Sequence, residues 1–132
     1  MANAQRTIPF IGSPDTNPET KPFFEGTAAG KFLIRRCTAC KKAHWYPRSL
    51  CPFCFGDCAW EEASGAGTIY SLSVMKRAET PYVMAYVTLA EGPTMMTNIV
   101  DGDMDTLKIG QKVKVKLVPT EGGPPMPVFA PA

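Results

Sequence analysis

Residues 37–54 read CTACKKAHWYPRSLCPFC and hold four of the chain's five cysteines. Cys37 and Cys40 form one C-x2-C pair, Cys51 and Cys54 form a second, and ten residues separate the two. Two such turns facing one another offer four soft ligands to a tetrahedral ion at about 2.3 Å. The intervening residues suit a short hairpin that carries the second turn under the first. Four buried thiols, or two disulfides, are the alternative reading. Chance rarely sets two pairs of this spacing so close together. The spacing therefore predicts a structural zinc ribbon with Cys37, Cys40, Cys51 and Cys54 as ligands.

A hydrolytic zinc keeps an open position beside His or carboxylate ligands, with a general base nearby. Four sulfurs close the sphere, so a catalytic metal is not expected. His44, the only histidine, reads first as a polar side chain on the hairpin and only second as a spare ligand. Cys58 is surplus to the site and reads as a small strand residue before Trp60, with ligand replacement as the alternative. Iron also suits four thiolates and would make the chain an electron carrier. A colourless protein containing zinc excludes that.

The chain's 132 residues provide one compact domain with an appendage, or two very small ones. A ribbon of about thirty residues buries too little surface to fold alone, so the metal replaces part of its core. The sequence has no apolar run of eighteen residues and no signal-peptide pattern. Together with clustered free thiols, this points to a soluble cytoplasmic protein with no membrane partner. A net charge of +2 does not by itself argue for nucleic acid. Its distribution says more. Lys31, Arg35, Arg36, Lys41, Lys42 and Arg48 gather around the ribbon, where Asp57 is the only acid between residues 26 and 60. They either compensate a tetrathiolate site or face an anion such as a nucleotide-like cofactor or a nucleic-acid backbone.

Residues 1–18 carry three prolines and no apolar periodicity, as an extended arm laid along a partner would. A short helix is expected from Pro18, capped by Asn17 or Thr16, with Glu19 favourable near its start and Gly30 at its end. It carries Phe23 and Phe24, which cannot share one narrow face, leaving one for a partner. KFLIRR (31–36) reads as a strand, HWYP (44–47) as the return segment with Trp45 and Tyr46 on opposite sides, and CAWEEA (58–63) as the exit. These pieces give an arm and helix over 1–30, a ribbon over 31–63 and, after the glycine-rich SGAG, a barrel over 64–132.

From Thr68 the pattern is all β. Tyr70, Leu72 and Val74 share one face, as do Val83, Ala85, Val87 and Leu89. TMMTNIV (94–100) makes a third strand, and DMDTLKIG is expected to form one helical turn. QKVKVKLVP alternates cleanly, with Val113, Val115 and Leu117 inward and Lys112, Lys114 and Lys116 in water. PMPVFAP (125–131) is expected as a short edge strand whose prolines prevent further pairing. The fold class is thus mainly β: a rubredoxin-like zinc ribbon followed by a five-stranded OB-fold barrel.

In this order, FFEGTAAGKFLIRRCTACKKAHWYPRSLCPFC, EEASGAGTIYSLSVM, PYVMAYVTLAEGPTMMTNIV, LKIGQKVKV and PVFAP make the chain resemble one known family. It is the zinc-ribbon plus OB-fold family catalogued as domain of unknown function thirty-five, matched over roughly residues 20–131. The resemblance implies a small non-catalytic subunit that docks on a thiolase-superfamily enzyme (ketothiolase, acetyltransferase or aldolase) and helps hold its acyl-CoA. It implies a hetero-oligomer with structural Zn2+ on the four cysteines and a CoA thioester as ligand of the complex. On that reading Arg35, Arg36, Lys41, Lys42 and Arg48 are candidates for the CoA phosphates, with Lys76 and Arg77 weaker ones. Phe23, Phe24, Trp45 and Tyr46 are either interface anchors or ordinary core. One departure stands out. Many ribbons place Gly after the second cysteine of a pair, where the chain turns left-handed, but here Lys41 and Phe55 stand there. That is expected to loosen the knuckles.

The residues agree on what is missing. A thiolase needs a nucleophilic cysteine and histidine bases, and beyond the zinc ligands only Cys58 and His44 remain. The runner-up function is a single-stranded nucleic-acid-binding module, since ribbons and OB-folds both bind strands through aromatics and basic grooves. The modest charge and the lack of aromatics among the lysines of residues 111–118 argue against it.

Overall fold

The alternation that begins at Thr68 does build a barrel. The computed structural model describes residues 8–9 and 16–132. A two-residue strand β1 (Ile8–Pro9) precedes helix α1 (Lys21–Ala28). Strands β2 (Leu33–Cys37), β3 (Ala43–His44) and β4 (Cys58–Glu62) form the ribbon sheet in the order β3-β2-β4. The barrel strands are β5 (Ala66–Met75), β6 (Tyr82–Leu89), β7 (Thr94–Ile99), β8 (Lys112–Glu121) and β9 (Gly123–Pro131). They neighbour one another as β8-β5-β6-β7-β9, and β9 pairs back onto β8. The β7–β9 pair is parallel and the other four are antiparallel, which gives the closed Greek-key barrel of an OB-fold. β1 runs parallel to the end of β8, with Ile8 opposite Thr120. The rest of the arm up to residue 15, including any contact with a partner, lies outside the described residues.

The structure corrects several local expectations, each for a physical reason. Tyr70 does not face inward with Leu72 and Val74. The register shifts between Ile69 and Ser71, so Tyr70 is the extra residue of a bulge and the inward parity changes there. Ile69 is buried, Leu72 and Val74 pack on the core, and Tyr70 is exposed. β9 is not an edge. It spans Gly123–Pro131 and pairs on both sides, Phe129 facing Val115 on β8 and Ile99 on β7. The segment after Asp103 closes with a hydrogen-bonded turn, Thr106 N–H to the Asp103 carbonyl at 3.1 Å, and no helix forms. Of the inward residues expected on β8, Val113 is fully buried and Val115 packs on the core, while Leu117 is only half-buried.

α1 starts later than Pro18, at Lys21, with Pro22 in its first turn. The N-cap is therefore Thr20, with no side-chain cap bond, rather than Asn17 or Thr16. Asn17 instead makes the turn before the helix, its side chain accepting from Glu19 N–H at 3.0 Å and its carbonyl from Lys21 N–H at 2.9 Å. The helix stops where Gly30 was expected to stop it. Gly30 has φ +80°, and Lys31 N–H reaches the Gly26 carbonyl at 2.8 Å while Gly30 N–H reaches Thr27 at 3.0 Å. That is a Schellman closure, which needs the left-handed conformation glycine adopts without a steric penalty.

Phe23 and Phe24 are both buried, so neither is left over for a partner. α1 lies in the angle between ribbon and barrel, where two faces of the helix can be covered at once. Phe23 meets Trp45 (ring centroids 5.2 Å apart), Phe32 meets Trp45 (5.9 Å), and Phe32 meets Phe129 of β9 (6.2 Å). This chain of rings makes ribbon, helix and barrel parts of one apolar cluster.

Candidate metal centre

Each cysteine pair sits on a turn leaving the ribbon sheet. β2 ends at Cys37, and the chain folds back so that Lys41 N–H donates to the Cys37 carbonyl at 3.1 Å. The second turn repeats this, Phe55 N–H to the Cys51 carbonyl at 2.8 Å. Lys41 (φ 69°) and Phe55 (φ 62°) occupy the left-handed region themselves. The knuckles are therefore not loosened. They close as glycine knuckles do, with backbone strain of about 1–2 kcal/mol at each non-glycine residue.

The four Sγ atoms lie within 4.8 Å of one another. Cys37 to Cys54 is 3.5 Å and Cys40 to Cys51 is 3.6 Å. Four sulfurs about 2.3 Å from one tetrahedral ion are separated by roughly 3.8 Å, so the cluster fits such an ion. Backbone N–H groups also point at the sulfurs. Cys40 and Ala39 donate to Cys37 Sγ at 3.3 Å each, and Phe53 donates to Cys51 Sγ at 3.4 Å.

The electrostatics are those of a cation site. The Cys40 N–H, and then that of Ala39, outweigh burial and bring the Cys37 pKa down to about 6. Burial opposes ionisation at Cys51, but the N–H groups of Phe53 and Cys54 hold its thiol below the ordinary value. At Cys54 the Gly56 N–H favours the thiolate, yet the neighbouring sulfurs and burial push the pKa up to about 12. Four thiolates cannot share this space unaided, and a divalent cation removes the conflict. Gly56 matters through space rather than φ. A Cβ there would lie 3.2 Å from Cys37 Sγ and 3.3 Å from Cys54 Sγ.

Cys58 begins β4 opposite Cys37, and burial raises its pKa, as suits a small strand residue outside the cluster. His44 lies on the hairpin strand β3, outside the four-sulfur cluster, and is only 3 % exposed. Its Nε2 accepts from Arg48 N–H at 3.2 Å, and burial, then the charge of Arg35, lowers its pKa. The neutral ring carries its proton on Nδ1, which finds no partner among the described residues.

The five basic residues assigned to CoA are not gathered into one anion site. Arg35 and Arg36 project to opposite faces of β2. Arg35 donates to the carbonyls of Arg48 (3.2 Å) and Ser49 (3.1 Å), and its guanidinium stacks 4.8 Å from the Trp60 ring. Arg36 grips Glu61 through Nε and NH2 at 3.1 Å and donates to the Lys41 carbonyl at 2.8 Å. Arg48 pairs with Glu19 at 3.2 Å, and Glu19 also accepts from Ser49 N–H at 2.9 Å. Glu19 thus clamps the ribbon loop rather than serving the helix N-terminus. Lys41 Nζ donates to the Thr38 carbonyl at 2.7 Å, and Lys42 Nζ lies 5.0 Å from the Phe53 ring. Lys76 faces Asp105 at 3.9 Å on the far barrel hairpin. The pairings of Glu19 and Glu61 escaped sequence reasoning because nothing local ties them to arginines 25 or more positions away.

Of the aromatic candidates, Phe23, Phe24 and Trp45 pack on the core, while Tyr46 is exposed. Trp45 and Tyr46 do not diverge to opposite sides. Their rings meet edge to face 5.4 Å apart. The large apolar residues also left exposed are Leu50, Phe53 and Phe55 around the second knuckle, Tyr70, Met75, Tyr86 and Met96 on the barrel strands, and Ile109 in the loop before β8. Among the described residues no helix is long and apolar enough to cross a membrane.

Comparison with known proteins agrees with this architecture. A family described as "ChsH2, rubredoxin-like zinc ribbon domain" matches residues 24–61, and "ChsH2, C-terminal OB-fold domain" matches residues 60–118. The chain is 35% identical over 126 residues to a probable enoyl-CoA hydratase alpha subunit of Thermomonospora curvata, covering 90% of this chain and 39% of that protein. It is 35% identical over 88 residues to a DUF35 domain-containing scaffold protein of Methanothermobacter thermautotrophicus, covering 61% of this chain and 66% of that one. It therefore spans about two fifths to two thirds of the length of the curated relatives it matches. Among solved structures, a chain of the Ltp2-ChsH2(DUF35) aldolase superposes with TM-score 0.77 at 34% identity, covering 90% of this chain and 98% of that one. A zinc ribbon followed by an OB-fold is thus the shared plan, and the chain belongs to the ChsH2-type DUF35 family of zinc-ribbon plus OB-fold proteins.

Proposed function

We propose that this chain is a non-catalytic scaffold subunit that docks on a thiolase-superfamily enzyme acting on an acyl-CoA. The observation that carries this reading is the near end-to-end correspondence with one chain of a structure described as an aldolase, 90% of this chain against 98% of that one. The site chemistry supports it. Zinc held by Cys37, Cys40, Cys51 and Cys54 has a closed coordination sphere and stabilises the ribbon instead of activating water. The ribbon's arginines are paired within the chain, to backbone carbonyls, Glu61 and Glu19, and the CoA thioester in this reading is a ligand of the complex as a whole. The enoyl-CoA hydratase relative adds a second subunit named for a CoA thioester. Five free cysteines suit the reducing cytoplasm in which such a complex works.

The test is recovery of the tagged chain from its native host, with co-eluting chains identified by mass. A stoichiometric thiolase-like subunit, whose acyl-CoA turnover changes when this chain is removed, is the expected result. Recovery of nucleic acid instead would favour strand binding, which draws on exposed Tyr70 at the β5 bulge and exposed Tyr86 on the neighbouring strand. That alternative requires an affinity that falls steeply with salt.

A further inference from the structure

Phe55 is the least economical residue of the ribbon. It is 78 % exposed, contributing almost nothing to the core, yet its backbone is held at φ 62°. A bulky side chain there is an outlier, and glycine would serve the knuckle better. Beside it on the same knuckle, Phe53 is 58 % and Leu50 50 % exposed. A shallow depression of about 410 Å³ runs between Glu19, Arg48, Leu50, Pro52 and Phe55. Between them sits Cys54, the exposed member of the four sulfurs.

Glu19 and Arg48 in the depression neutralise one another, and the remaining exposed charge leans positive, two lysines against Asp57. Arg35, Arg36 and Arg48 are committed to internal partners. Lys41 and Lys42 remain exposed on the facing knuckle, with Lys42 Nζ 5.0 Å from the Phe53 ring, and Asp57 is the only acid between residues 26 and 60. An apolar centre rimmed by lysines matches an apolar pocket rimmed by carboxylates on a folded protein.

We propose that the second knuckle, Leu50, Phe53 and Phe55 with Lys41 and Lys42 beside it, is the surface that docks on the catalytic subunit. Phe55 is the anchor, and docking covers the exposed edge of the metal site at Cys54. The inference rests on the scaffold reading above and assigns it a surface. It also explains why Phe55 tolerates strain: the side chain contributes in the complex and not in the isolated chain.

The discriminating variant is Phe55→Gly, because a structural role and a docking role predict opposite signs. Zinc-loaded wild type and variant are titrated against the purified catalytic subunit recovered in the experiment above, with melting and zinc content measured in parallel. The expected result is a variant that keeps its zinc, melts at or above the wild-type temperature, and binds the subunit at least tenfold more weakly. Phe53→Ser, whose backbone carries no positive φ, gives a second reading of the same loss. Lys42→Glu weakens binding and flattens its salt dependence. Tyr86→Ser, on the barrel's exposed apolar face, binds like wild type. A chelator strips zinc several-fold more slowly from the complex than from the free chain.

Wild-type affinity in both Phe55→Gly and Phe53→Ser overturns the proposal while leaving the scaffold reading intact. So does loss of binding in Tyr86→Ser. A wild-type dimer that Phe55→Gly dissolves would assign the patch to self-association and overturn it as well. If the wild type captures no catalytic subunit at all, the scaffold reading falls and this inference with it.

Discussion

A single barrel strand, β6, buries Val83, Ala85, Val87 and Leu89, whereas all three ribbon strands together bury Ile34, Cys37 and His44. The barrel is held by apolar area at about 25 cal/mol per Å² and by a strand order that closes on itself. The ribbon replaces that area with a cation site, with the Arg36–Glu61 and Arg35–loop braces, and with aromatic rings borrowed from α1 and the barrel. Metal and polar contacts are more local than apolar burial. Each ribbon device should therefore fail separately, while the barrel should fail as a unit.

Removal of the metal should break the comparison most widely. Chelation, or Cys37→Ser with Cys51→Ser, is expected to expose the amides of β2, β3 and β4 to rapid hydrogen exchange while β5 to β9 stay protected. Uniform loss of protection would show instead that the barrel depends on the ribbon. Next in size is Phe129→Ala. Phe129 is fully buried and is the barrel's contact with Phe32, so the expected cost is about 3–5 kcal/mol in denaturant unfolding. It should lower the ribbon and the barrel together, because the ring belongs to both.

How much of this was legible depended on the range of the interaction. The C-x2-C pairs, the inward set of β6 and the Gly30 stop are written within a few residues, and each stands where sequence reading put it. The face of Tyr70 was not legible, because a bulge is decided by the partner strand. Neither was the second pairing of β9, because closure is a property of the whole barrel and its prolines fall where the ladder tolerates them. Phe23 and Phe24 were split between core and partner because the sequence could not show two surfaces meeting over one helix. Nor were the internal partners of Arg35 and Arg36 legible, because the Ser49 carbonyl and Glu61 lie 14 and 25 residues away.

Smaller effects sharpen the contrast inside the ribbon. Lys41→Gly should relieve positive φ and raise the melting free energy by about 1 kcal/mol, provided loss of the Nζ–Thr38 bond does not consume the gain. Glu61→Gln should cost about 0.5–1 kcal/mol, since the Arg36 pair is a third exposed and the solvent screens it. Unchanged melting in Glu61→Gln would mean that the Arg36–Lys41 carbonyl bond alone holds the brace.

The smallest expected effect is a dependence on pH that the barrel lacks. His44 is buried, and burial, followed by the charge of Arg35, sets its folded pKa below the ordinary 6.5. The unfolded chain therefore takes up a proton near pH 6.5 that the folded chain refuses until lower pH. Stability rises with pH wherever the unfolded state binds more protons. The contribution is thus fully present above pH 6.5 and is lost progressively as pH falls from there toward the folded pKa. The slope cannot exceed one proton. Denaturant unfolding of zinc-loaded wild type and His44→Gln between pH 7.5 and 5.5 measures it by difference, because zinc-linked protons are common to both chains. A flatter profile in His44→Gln identifies the buried imidazole as the ribbon's acid-sensitive element. Parallel profiles would mean that water or local opening lets the folded ring take its proton at the ordinary pH, and that the ribbon's interior is wetter than the barrel's.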